Sequence, residues 1–183
     1  MLMKFVCLTA VLCCSLMLIT ATAELAWNQV ENCHNYIFRT IGFSLKARRG
    51  DGVGDDTALK GISLKCSDDS WIYSGQEPSG EWGENFICPN NGFLFRCQLR
   101  VEPKNGITVV NNLKCFCLLR NGKVEELEGD GLNQGIWEEM YTLDQFCRNG
   151  IIGLQTQVLK NTALTNISFT CSKSDGWGWV GRR

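Results

Sequence analysis

One pattern occurs three times in this chain. Residues 56–66 read DTALKGISLKC, residues 107–117 read ITVVNNLKCFC, and residues 161–171 read NTALTNISFTC. Aligned without gaps, Thr57, Thr108 and Thr162 coincide, as do Leu59, Val110 and Leu164. Ile62, Leu113 and Ile167 follow, and every copy ends in cysteine. A matching segment lies upstream of each: GFSLK at 42–46, RCQLR at 96–100 and GLQTQ at 153–157, preceded in turn by Cys33, Cys88 and Cys147. The chain is therefore read as three copies of one unit, spanning about 33–66, 88–117 and 147–171.

Within each copy the apolar residues alternate. Phe93, Phe95, Cys97, Leu99 and Val101 share one face, with Arg96, Gln98 and Arg100 opposite; Ile62, Leu64 and Cys66 alternate likewise, as do Ile167, Phe169 and Cys171. Period two marks half-buried antiparallel strands. Beyond the leader no segment sustains a helical period, and Gly-Asn-Asp turns punctuate the chain. The expected class is all-β.

The first residues have a different character. Lys4 precedes an apolar run ending at Ala21-Thr22-Ala23, the pattern of a secretory signal peptide over 1–23. Export is the expectation, and a single folded domain over 24–174 follows, then a tail over 175–183. Eight of the 11 cysteines lie beyond the leader: Cys33, Cys66, Cys88, Cys97, Cys115, Cys117, Cys147 and Cys171. An even number in an exported chain reads as four disulfides. Losing Lys4 takes 18 basic residues to 17 against 19 acidic, a net charge of −2. That balance offers no footprint for nucleic acid or an anionic membrane.

The repeat also organises the cysteines. Cys97 and Cys115 occupy positions that hold Phe43 and Leu64 in the first copy and Leu154 and Phe169 in the third. Facing antiparallel positions lie within disulfide reach, so this pair replaces an apolar contact with a covalent one. Two pairings of the other six respect the symmetry. One closes each unit: Cys33–Cys66, Cys88–Cys117 and Cys147–Cys171. The other links neighbours: Cys66–Cys88, Cys117–Cys147 and Cys33–Cys171. Closing within a unit demands less coordinated folding and is the preferred reading.

Taken together, GFSLK (42–46), GDDTALKGISLKC (54–66), the asparagines before LKCFC (111–117) and GLQTQ (153–157) resemble the vitelline membrane outer layer protein I family, from about Trp27 to Cys171. The resemblance implies a type I β-prism: three Greek-key antiparallel sheets with internal pseudo-threefold symmetry. It also implies the disulfides that close each repeat, and contact with chito-oligosaccharides. The chain departs from the family pattern in its Cys97–Cys115 pair, in a third repeat lacking the Gly-Asp-Asp lead-in, and in its tail.

Few groups here carry chemistry. His34 is the one histidine and is read as a loop residue. No serine sits in an elbow motif. The acids of DGVGDD (51–56) lack the every-second-residue spacing of a calcium loop and read as a turn. Arg49-Gly50-Asp51 spells an adhesion tripeptide, which three residues alone cannot establish. No metal or other cofactor is expected.

The carboxylates remain. Glu81 and Glu84 flank Trp82, and Glu138 and Glu139 follow Trp137. An acid pair beside an aromatic surface is the equipment of glycoside chemistry. The plainer reading makes the acids solvated and the tryptophans plugs for the prism ends. The expected function is a structural component of an extracellular coat, mucus or matrix, with coat glycoproteins and chito-oligosaccharides as partners. A lectin-like module is the alternative, and a chito-oligosaccharide transferase or hydrolase a third. Asn166-Ile167-Ser168 is a glycosylation sequon, with either state open. For the tail two outcomes stand: a frayed end, or Trp177 and Trp179 folded back to replace the glycine-flanked tryptophan that the N-terminal lead-in lacks.

Overall fold

The computed structural model describes residues 25–48, 58–138, 146–160, 162–173 and the backbone of 179–180. The leader, residues 49–57, Glu139 and Trp177 lie outside the described residues.

Among the described residues the strands are β1 (Glu31–Asn32), β2 (Thr40–Ala47), β3 (Leu59–Cys66), β4 (Trp71–Ile72), β5 (Glu81–Ile87) and β6 (Phe93–Lys104). They continue as β7 (Ile107–Leu118), β8 (Val124–Glu128), β9 (Ile136–Trp137), β10 (Ile151–Leu159), β11 (Ala163–Cys171) and β12 (Trp179–Val180). Three four-stranded sheets result, in the orders β4-β3-β2-β5, β8-β7-β6-β9 and β12-β11-β10-β1. Each is a Greek key built on one hairpin. Among the described residues the first strand, β1, is the fourth strand of the last sheet, so β1 and β12 belong to one module.

Every sheet contains the same two bulges. On the first hairpin strand the extra residue is Ile41, Phe95 or Ile152; on the second it is Lys60, Asn111 or Thr165. All three are equivalent under the repeat. A bulge shifts the side-chain phase by one residue. This corrects the expected inward face of β6: Leu94 is fully buried, Phe93 and Phe95 are not, and the alternation of Cys97, Leu99 and Val101 starts beyond the bulge.

The inward faces of the three hairpins meet in one core. Phe43 lies across from Leu64, Cys97 from Cys115 and Leu154 from Phe169, as the repeat predicts. Leu45, Ile62, Leu99, Leu113 and Ile167 continue it. Apolar faces of two strands cannot hide themselves; three sheets closing on each other remove all three from water. At one end the equivalent residues Ala58, Val109 and Ala163 pack as a small separate cluster.

The disulfides are Cys33–Cys66, Cys88–Cys117, Cys147–Cys171 and Cys97–Cys115, with Cα separations of 5.8, 5.6, 4.9 and 4.0 Å. The within-unit pairing holds and the cyclic one is excluded. Cys33, Cys88 and Cys147 each begin a Cys-X-Asn turn. In two of these turns the backbone is left-handed at consecutive residues, Asn35 and Tyr36 in the first and Asn90 and Asn91 in the second. In the third, Gly150 has φ +101°.

Candidate functional site

The tryptophans flagged in the sequence lie on outer strands, not across the prism ends. Trp82, on β5, pairs with Lys46; Trp137, on β9, pairs with Arg100; Trp27 bridges to Gln157. Lys46, Arg100 and Gln157 are equivalent in the repeat, so the three tryptophans are equivalent too. Of the two outcomes open for the tail, Trp179 does not take the place of a missing tryptophan, and Trp177 lies outside the described residues. Trp27 already fills that place, across the join between the chain's ends. The tail goes elsewhere: Trp179 and Val180 pair with Thr170 and Phe169, just as Trp71 and Ile72 pair with Lys65 and Leu64. It is an edge strand because β11 presents there the same open hydrogen-bonding edge that β3 offers β4.

The glycine before two of the tryptophans has a steric cause. Gly80 and Gly135 have φ +94° and +90°, and a Cβ on Gly135 would stand 2.3 Å from the Val101 carbonyl oxygen. The turn brings backbone against backbone, which admits only glycine.

Equivalent positions differ in what surrounds them. Trp137 is flanked by cations: the Arg100 guanidinium lies 5.3 Å and the Lys114 ammonium 4.8 Å from its ring centre. Lys114 also bonds Glu126 at 2.8 Å and Glu128 at 3.0 Å, and these bonds, that to Glu126 first, hold its ammonium above the ordinary lysine range. Trp82 is more open, at 41% exposed, and has an aromatic neighbour in Tyr73, 6.5 Å away and 54% exposed. Lys46 braces this pair. Its Nζ donates to Gln76 Oε1 at 2.9 Å and to the Glu77 carbonyl at 2.8 Å, and lies 6.0 Å from the Trp82 ring. The Lys46 side chain fixes the loop between β4 and β5, and with it the spacing of the two rings.

Among the described residues the candidate acids Glu81, Glu84 and Glu138 form no common centre. Glu81 and Glu84 are both exposed on β5 in the first sheet, separated by a register shift between Trp82 and Asn85. The Glu84 amide donates to Asp130 Oδ2 at 3.0 Å, tying the first sheet to the second. Glu138 belongs to the second sheet, where its amide donates to the Leu99 carbonyl and its own carbonyl accepts from Gln98 Nε2. Neither exposed acid has the apolar enclosure that a glycosidic general acid uses.

His34 is exposed in a short turn. Among the described residues no three His, Cys, Asp or Glu side chains cluster to hold a metal, and no helix is long and apolar enough to cross a membrane. Asn166 lies within β11, with its Oδ1 accepting from the Ile167 amide, and Ser168 is buried. The sequence reading missed Tyr73 and Lys46. The signal for Tyr73 was Trp71-Ile72-Tyr73, whose alternation puts both rings on one face; nothing local marked Lys46.

Three Greek-key sheets around one core, each hairpin bulged alike, define a β-prism of type I. The lectin MPA, solved with T-antigen disaccharide, superimposes with a TM-score of 0.50 at 10% identity, covering 82% of this chain and all of that one, a likeness of fold. The chain belongs to the vitelline membrane outer layer protein I family, whose profile matches residues 17–174. Vitelline membrane outer layer protein 1 homolog of Mus musculus is 37% identical over 164 residues, covering 81% of this chain and 78% of that protein. The Homo sapiens homolog is 33% identical over the same length, at 81% and 77% coverage.

Proposed function

We propose that this is a secreted structural protein of an extracellular coat, mucus or matrix, which contacts chitin-type oligosaccharides without transforming them. One observation carries the sugar contact: Trp82 and Tyr73 present two exposed rings, held at a set spacing by the buried Lys46 bonds, beside Glu81 and Glu84. Exposed aromatic faces stack on the apolar faces of sugar rings, and nearby carboxylates accept hydroxyl hydrogen bonds. Four disulfides suit service in an oxidising, protease-rich setting. The exposure of both acids argues against acid catalysis there.

Titration of the mature protein with N-acetylchitotetraose tests this. Binding in the millimolar range or tighter is expected, abolished in Trp82→Ala and in Tyr73→Ala with melting temperatures preserved. Incubation with the same sugar should leave it unchanged in length. Absence of binding, or binding that both variants retain, overturns the aromatic site. Chain cleavage or elongation lost in Glu81→Gln or Glu84→Gln overturns the non-enzymatic reading.

A further inference from the structure

The end of the prism opposite the Ala58–Val109–Ala163 cluster is built differently. Its equivalent residues are Arg39, Phe93 and Gly150, each three positions before the segments that align as Gly42, Arg96 and Gly153. They converge on the axis. A Cβ on Gly150 would stand 2.8 Å from Arg39 Cδ and 2.9 Å from Phe93 Cδ2, and the Arg39 guanidinium lies 4.6 Å from the Phe93 ring centre. Glycine in the third place makes room for an arginine laid on a phenyl ring.

That arginine lines a cleft with Ile37, Ser67, Asn91 and Phe93. Arg39 is exposed, and among the described residues it makes no ion pair. The acids next to Ser67 are engaged elsewhere: Asp68 accepts from the Ser70 amide and hydroxyl, and Asp69 pairs with Lys65 at 3.0 Å. Ile37 is 74% exposed at the rim. A closure serving only the core would be apolar, as it is at the other end. This one holds a guanidinium laid on a phenyl ring, a hydroxyl, a carboxamide and an apolar rim, which is equipment for an anion carried on a sugar ring.

From this geometry we propose a second binding site, in which an acidic sugar places its sulfate or carboxylate on Arg39, with Ser67 and Asn91 at its hydroxyls and Ile37 and the rim of Phe93 against its ring. The proposal rests on the glycan-binding reading above but uses different residues, so the two fail separately.

The test is amide-resolved NMR titration of the mature protein with N-acetylglucosamine 6-sulfate, unsulfated N-acetylglucosamine, sialyllactose, lactose and sodium sulfate. At least one acidic sugar should bind ten-fold or more tightly than its neutral parent and than sodium sulfate, moving the Ser67 and Gly92 amides. The sulfated and sialylated arms identify which anion is preferred. Arg39→Gln should lose ten-fold or more of that affinity, and Phe93→Leu should weaken it while preserving the melting curve. Trp82→Ala should leave it unchanged. Equal binding of acidic and neutral sugars, equal binding of sodium sulfate, shifts confined to other amides, or full affinity in Arg39→Gln would each overturn the proposal. Loss of acidic-sugar binding in Trp82→Ala would assign that binding to the aromatic pair instead.

Discussion

Trp27 stands across from Gln157 in the place that Trp82 holds against Lys46 and Trp137 holds against Arg100. The chain's N-terminal segment thus completes its third sheet, with the Asn28 amide donating to the Thr156 carbonyl and the Cys33 amide to the Ile152 carbonyl. Asn28 Nδ2 and Gln155 Nε2 add side-chain bonds across the same seam. Deleting residues 25–32 should therefore lower Tm and open amide exchange along β10. Trp27→Ala, which keeps the backbone ladder, should cost less, about 1 kcal/mol. Hydrogen exchange of β10 that is unchanged by the deletion would show the seam to be unimportant.

Replacing Cys97 and Cys115 together with Val should leave a folded protein. Phe43 with Leu64 and Leu154 with Phe169 hold the same facing positions, so the core accepts an apolar pair there. The loss should be about 1–3 kcal/mol, from removing a short-loop crosslink partly offset by packing. Cys88→Ala should cost more, because it leaves Cys117 a buried thiol and opens a repeat. Denaturant unfolding of both variants compares them.

Tyr36 has φ +54° where the matching turn after Cys88 uses Asn91, with φ +55°. A left-handed tyrosine is strained, and asparagine tolerates that backbone better. Tyr36→Asn should stabilise by about 0.5–1 kcal/mol, raising Tm by about 1–3 °C. A fall in Tm would mean that the contacts of the tyrosine ring outweigh the strain.

Lys114 makes stability pH-dependent at the alkaline end. Its folded pKa is raised above the ordinary lysine range, chiefly by the bond to Glu126, so its contribution is complete below that range and is lost as pH rises through the folded pKa. Glu126 and Glu128 are 50% and 42% exposed, and screening limits the effect to about 0.5–1 kcal/mol. Lys114→Met should flatten the fall in stability above pH ~10.5 relative to the native chain. Parallel alkaline unfolding curves would remove Lys114 from the explanation.

The sequon at Asn166 should be unoccupied in the secreted protein. Asn166 is half-buried in a paired strand and Ser168 is buried, leaving little room for a glycan beside β10. Intact mass before and after glycosidase treatment decides it.

The triplicated pattern by itself determined the strand hairpins, the facing pairs and the equivalence of the cysteines. Those depend on residues close in the chain, where period two and turn chemistry act locally. It did not show that Phe95 is a bulge residue, because a strand with one extra residue reads like one in regular alternation until its partner is in place. Nor did it place Trp27, whose counterpart Gln157 lies at the far end of the chain, or Tyr73 beside Trp82. The Arg39–Phe93–Gly150 convergence is the clearest case of structure alone deciding. Each residue sits three positions before an aligned strand, but only closure of three sheets on one axis makes them neighbours, because an axis exists only once all three copies share a core.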